Sequence, residues 1–187
     1  MRTPRPTPAL LALLCGLCLA GSGQATEDDW SAPYAQRWDR TRDATADLAD
    51  ALRTAEATGR LVLVVVGGET WGRCRAFERM LERDDALRAR YRETFELVKV
   101  HVSPAHRNEE FLSGFPTVPR LPHFFALEPP NRLVGSERSV AFEYRRYGLE
   151  GLRPSALERF VDVWSGYLRT RERPDTFRGK PTQSATP

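Results

Sequence analysis

Leu61-Val-Leu-Val-Val-Val-Gly-Gly-Glu-Thr-Trp-Gly-Arg-Cys74 is the stretch that decides the reading of this chain. Leu61 to Val66 is an unbroken apolar run, mostly β-branched, too short for a helix and stopped by Gly67-Gly68. That combination predicts a strand covered on both faces. Beyond Cys74 the apolar residues Phe77, Met80, Leu81, Leu87 and Tyr91 recur at steps of three and four. Arg75, Glu78, Arg79, Glu82 and Arg83 fill the positions between them, so a helix is expected to follow the strand. Phe95 to Val102 then alternates as a second strand. Strand, loop, helix, strand implies a right-handed parallel crossover.

Working outward, Val118-Pro-Arg-Leu-Pro-His-Phe-Phe-Ala-Leu127 places Pro122 directly before a further apolar strand. Pro129-Pro130-Asn131 makes a turn into Arg132 to Gly135, which predicts a strand pair. Pro154 signals a last element, and Ser155 with Glu158 three residues later forms the pattern of a capping box. It is expected to open a last helix carrying Leu157, Phe160, Val161, Trp164 and Leu168 on one face. The fold class expected is α/β, with helices covering a central mixed sheet.

With these features in place, the chain resembles the thioredoxin superfamily, and within it the secreted or periplasmic thioredoxin-like branch. The stretches that carry the resemblance are RLVLVVVGGETWGRCRAFERML, FELVKVHV and VPRLPHFFALEPPNRLV, and it extends roughly from Leu61 to Leu168. It implies a three-layer sandwich, a central mixed sheet flanked by helices, here with an extra N-terminal helix. It also implies that Pro122 is a cis-proline lining the active site, with the backbone at Leu121 pairing with an extended substrate. Cys74 takes the position of the second, resolving cysteine. Trp71 stands where the attacking cysteine belongs, and Val65 where a buried acid belongs.

The chemistry follows from that substitution. Thiol–disulfide exchange begins with thiolate attack, and turnover then needs a second thiol to expel the substrate. One sulfur alone ends as a mixed disulfide. Arg73, Arg75 and a helix N-terminus favour the Cys74 thiolate, whereas burial opposes it, so an inert helix-start residue and a reactive monothiol both remain open. Trp71 is open in the same way, as a plug packed on its loop or as an aromatic contact for an extended partner. The functional expectation is a degenerate redox site, at most a weak monothiol participant in exchange. The alternative is a non-redox module that binds an extended protein segment through Trp71, Leu121 and Pro122.

The 187 residues suit one domain with flanking tails. Arg2 and Arg5, the apolar stretch Ala9 to Ala20 and the small residues up to Ala25 are laid out as a cleavable export signal at 1–25, and no retained membrane span is expected. Its removal would take Cys15 and Cys18 with it, leaving Cys74 alone in a compartment where disulfides form. A leading helical segment at 26–59 carries Trp30, Tyr34, Trp38, Leu48 and Leu52, for packing on the sheet or for a partner. The thioredoxin-like domain is placed at 60–171. The polar, proline-rich tail 172–187 is expected to be disordered.

The remaining readings are mostly exclusions. Net charge is only +3, with acidic residues interspersed among the arginines, so no nucleic-acid stripe stands out. Glu137 to Gly151 reads as a solvated insertion. An approach of His123 to Cys74 is the arrangement that would activate the thiol or hold a metal. Without a second cysteine or carboxylates at ligand-like spacing, no metal site and no cofactor is expected, and the partner expected is a protein or a thiol-containing molecule.

Overall fold

The computed structural model describes residues 30–146 and 149–170. The expected export signal at 1–25 and the tail 172–187, expected to be disordered, lie outside those residues. Two N-terminal helices, α1 (Pro33–Gln36) and α2 (Ala44–Thr58), lead into β1 (Leu61–Gly67), then α3 (Gly72–Arg83), α4 (Asp85–Thr94) and β2 (Phe95–His101). A short α5 (Glu109–Leu112), the strands β3 (His123–Glu128), β4 (Arg132–Arg138), β5 (Glu143–Arg146) and β6 (Leu149–Leu152), and α6 (Pro154–Thr170) complete the order.

The main sheet runs β2-β1-β3-β4. β2 lies parallel to β1, while β3 is antiparallel to β1 and β4 to β3, so the sheet is mixed. Every residue of β1 is buried, as expected of a central strand with both faces covered. Register assigns the faces. Leu61, Leu63, Val65 and Gly67 share one with Leu97, Lys99, Phe124 and Ala126, and Val62, Val64 and Val66 share the other with Glu96, Val98, His123 and Phe125. On the first face Phe124 meets Phe77 of α3 edge-on at 5.2 Å, and Phe160 of α6 stacks with Phe95 at 5.8 Å. The helices α3, α4 and α6 are thus held over one side by an aromatic core.

Asp43 opens α2 by accepting from the backbone N–H groups of Thr45 and Ala46, and Gly59, at a φ of 71°, closes it. The residues just past that turn anchor the helix to the edge strand. Arg60 forms an ion pair of 2.8 Å with Glu96, which also accepts from the Tyr34 hydroxyl at 2.8 Å, all three side chains being buried. The N-terminal segment covers the open edge of β2. Trp30 Nε1 donates to the Phe95 carbonyl at 3.0 Å, and Lys99 Nζ donates to that of Gln36 at 2.8 Å.

Several local expectations are corrected. The helix after Cys74 is two helices, because Asp84 is extended and its side chain accepts from Leu87 N–H, capping α4 afresh. Trp30, Tyr34 and Trp38 do not share one long helix: α1 is a single turn, and Trp38 is buried beyond it. The last helix starts at Pro154, so Ser155 lies inside the first turn rather than at its cap. The solvated insertion is structured as the end of β4, a 3-10 turn at Ser139–Ala141, and the hairpin β5–β6. Among the described residues no helix is long and apolar enough to cross a membrane.

Candidate functional site

The loop between β1 and α3 sets the site. Trp71 N–H donates to the Gly68 carbonyl at 3.1 Å, closing a turn, and Trp71 is the residue before the first turn of α3. Its ring is 41% exposed, one of two large apolar side chains so exposed among the described residues. Cys74, three residues on, points inward and is fully buried. A Cβ built on Gly67 would stand 2.6 Å from the Cys74 sulfur and 3.4 Å from the Trp38 ring, so the sulfur occupies room left by the missing side chain. The thiol lies against Gly67, and Trp38 packs on that same glycine.

The electrostatics follow the burial. Loss of solvent pushes the Cys74 thiol up to about 11, and the Glu78 carboxylate adds to the rise. Backbone hydrogen bonding at Gly68 and at Cys74 itself, with the Arg75 charge, acts the other way without cancelling it. The two opposed influences of the sequence are thereby ranked: burial outweighs the arginines and the helix start. Val65, at the position of the family's buried acid, faces Lys99 across the register, and Lys99 is paired with Glu78 at 2.6 Å. A carboxylate therefore lies near the thiol, but it is held by a lysine and disfavours the thiolate.

Leu121 and Trp71 meet around a different space. The Leu121–Pro122 peptide bond is cis. Trp71 and Leu121 line an open cleft of about 230 Å³ together with Val66, Val102, Leu112 and Val118, and Arg107 supplies its charged group. Pro122 is buried behind it and its carbonyl accepts from Ser139 N–H at 3.1 Å. The Ser139 hydroxyl lies 2.7 Å from a Glu143 carboxylate oxygen and 3.4 Å from the Leu121 carbonyl. A hydroxyl has one hydrogen and the shorter contact to a carboxylate holds it, which leaves the Leu121 carbonyl with acceptor capacity toward an incoming strand.

Sequence reasoning missed this supporting set. Glu143 binds Arg73 at 2.9 Å and approaches Arg120 at 4.0 Å, tying the start of α3 to the residues just before the proline turn. The signal was present only as charge, spread across three distant segments. The expected approach of His123 to Cys74 does not occur. His123 is in register with Val66, whereas Cys74 lies against Gly67, and adjacent strand residues face opposite sides of the sheet. The His123 Nε2 instead meets the Ser136 hydroxyl at 2.9 Å.

Comparison with known proteins places this geometry. A thioredoxin-like family model matches residues 43–129. The crystal structure of a disulphide isomerase from Xylella fastidiosa Temecula1 superposes with a TM-score of 0.57 at 21% identity, covering 67% of this chain and 93% of that one. At that identity the likeness carries the fold. No curated protein matched the sequence.

Proposed function

We propose that this chain, which has a thioredoxin-like fold and matches a thioredoxin-like family model over residues 43–129, is an exported, non-redox binding module whose cleft holds an extended segment of a partner protein. The observation that carries this is the division of the site: the Cys74 thiol is fully buried against Gly67, while Trp71 stands exposed over an apolar cleft. Exposed tryptophan beside an apolar recess is the chemistry of a binding anchor. The carbonyl of Leu121, with acceptor capacity to spare, supplies main-chain recognition of the kind an extended peptide uses.

The monothiol reading keeps one specific support. Cys74 lies in the first turn of α3, and the matched solved structure is that of a disulphide isomerase. A single experiment separates the two. The protein is immobilised and exposed to envelope extract, alongside Trp71→Ala and Cys74→Ala variants. A non-covalent module loses its captured partner with Trp71→Ala and keeps it with Cys74→Ala. Capture that requires Cys74 and is released by a reducing agent would instead establish exchange chemistry.

A further inference from the structure

The three histidines fall into two environments. His123 sits in the sheet with its Nε2 2.9 Å from the Ser136 hydroxyl and its Nδ1 buried without a hydrogen bond, whereas His101 and His106 stand together at the other end of the loop that walls the cleft. Their ring centres are 6.0 Å apart and their planes are inclined at 46°. His101 ends β2, and its carbonyl accepts from the Asn108 side chain at 2.8 Å. His106 is pinned by a two-way backbone bridge with Ser103, at 2.8 and 3.1 Å, and its N–H also lies 3.2 Å from the Ser103 hydroxyl. Both imidazoles are therefore mounted on fixed backbone.

One nitrogen of each ring, Nδ1 of His101 and Nε2 of His106, is buried and makes no hydrogen bond within the protein. Buried polar atoms are almost always satisfied, and two adjacent exceptions call for a common explanation. With metal–nitrogen bonds of about 2.0–2.1 Å, two imidazoles that share one ion have ring centres roughly 5–6 Å apart. The observed spacing meets that requirement.

We propose that His101 and His106 form a two-histidine site for a borderline divalent cation of the Zn2+ or Cu2+ class. Imidazole is the ligand type such ions select, and water completes the coordination, since no third metal-ligating side chain joins the pair among the described residues. The surrounding charge is mixed. Arg40, Glu69 and Asp39 are the charged groups that act on His101. His101 lies against Gly68, where the Trp71 ring also rests, and Ser103 and Pro104 belong to the cleft wall. A bound ion would thus brace the wall beside Trp71.

The test uses the full chain with no affinity tag. Zn2+ is titrated by calorimetry, and Cu2+ is added for electron paramagnetic resonance, with His101→Asn and His106→Asn made separately. His106 lies on a surface turn, so that variant keeps the readout if His101→Asn fails to fold. The expected results are one equivalent of Zn2+, a Cu2+ spectrum showing nitrogen ligands, and a loss of affinity of more than about tenfold in each variant. Absence of stoichiometric binding, or equal binding by the His106→Asn variant, would overturn the proposal.

Discussion

Gly67 and Cys74 share one space: the sulfur of Cys74 fills the volume that a side chain on Gly67 would need, with only 2.6 Å to a Cβ placed there. Gly67→Ala is therefore an overpacking substitution in the centre of the fold. A destabilisation of about 1–3 kcal/mol is expected, read by urea denaturation. Combining it with Cys74→Ala removes the clashing atom, so the double variant is expected to cost clearly less than the sum of the two single ones. Additive costs would show that the two positions do not compete for the same room.

Trp71 and Cys74 are three residues apart at the start of α3, the spacing at which two thiols bridge in an active dithiol loop. Trp71→Cys would place the first sulfur where the exposed ring now stands, and a thiolate there is favoured by the helix start. Insulin-reductase activity is expected in that variant and not in the parent. Strong activity in the parent would mean that the single thiol turns over unaided.

His123 gives the stability a pH dependence. Burial, with the Arg138 charge adding to it, lowers this imidazole from 6.5 to about 4. Between those values the unfolded chain binds the proton and the folded one does not. The contribution is therefore complete above pH 6.5 and is lost as pH falls toward 4, by on the order of 2 kcal/mol. Denaturation midpoints measured from pH 7.5 to 4 should fall, and His123→Gln should flatten the profile across that window.

The fold was legible because its strongest signals are local. Leu61 to Val66 is apolar on both faces and ends in glycines, and the strand found there runs Leu61–Gly67. Phe95–His101 and the β3–β4 pair follow from alternation and from the Pro129-Pro130 turn in the same way. Where expectation and structure differ, one short-range competitor decided the outcome. Asp84 re-caps the chain in mid-helix, and at α6 the signal read at Pro154 marks the start while Ser155 falls inside the first turn instead of capping it. The site was legible only in part. That Trp71, Leu121 and Pro122 belong together came from family resemblance, but the burial of Cys74 is set by how α3 packs on the sheet. The set of Ser139, Glu143, Arg73 and Arg120 around the proline turn is assembled only by tertiary structure.

Arg60 and Glu96 test how the N-terminal segment is held. Removing one partner of a buried ion pair strands the other, so Glu96→Ala is expected to cost about 3–5 kcal/mol in equilibrium unfolding. Tyr34→Phe removes one hydrogen bond to the same carboxylate and should cost more than a surface change but less than Glu96→Ala, roughly 1–3 kcal/mol. Equal costs for the two would show that the arginine pairing contributes nothing beyond the tyrosine.

The central claim is that the Cys74 sulfur is closed to outside reagents in the folded protein, and alkylation rate measures this most directly. The native chain is treated with iodoacetamide at neutral pH, the Cys74 peptide is followed by mass spectrometry, and the rate is compared with that in urea. Burial and a thiol raised to about 11 predict that native labelling is slower by more than roughly hundredfold. Labelling within about tenfold of the unfolded rate would contradict the account and restore Cys74 as a working nucleophile.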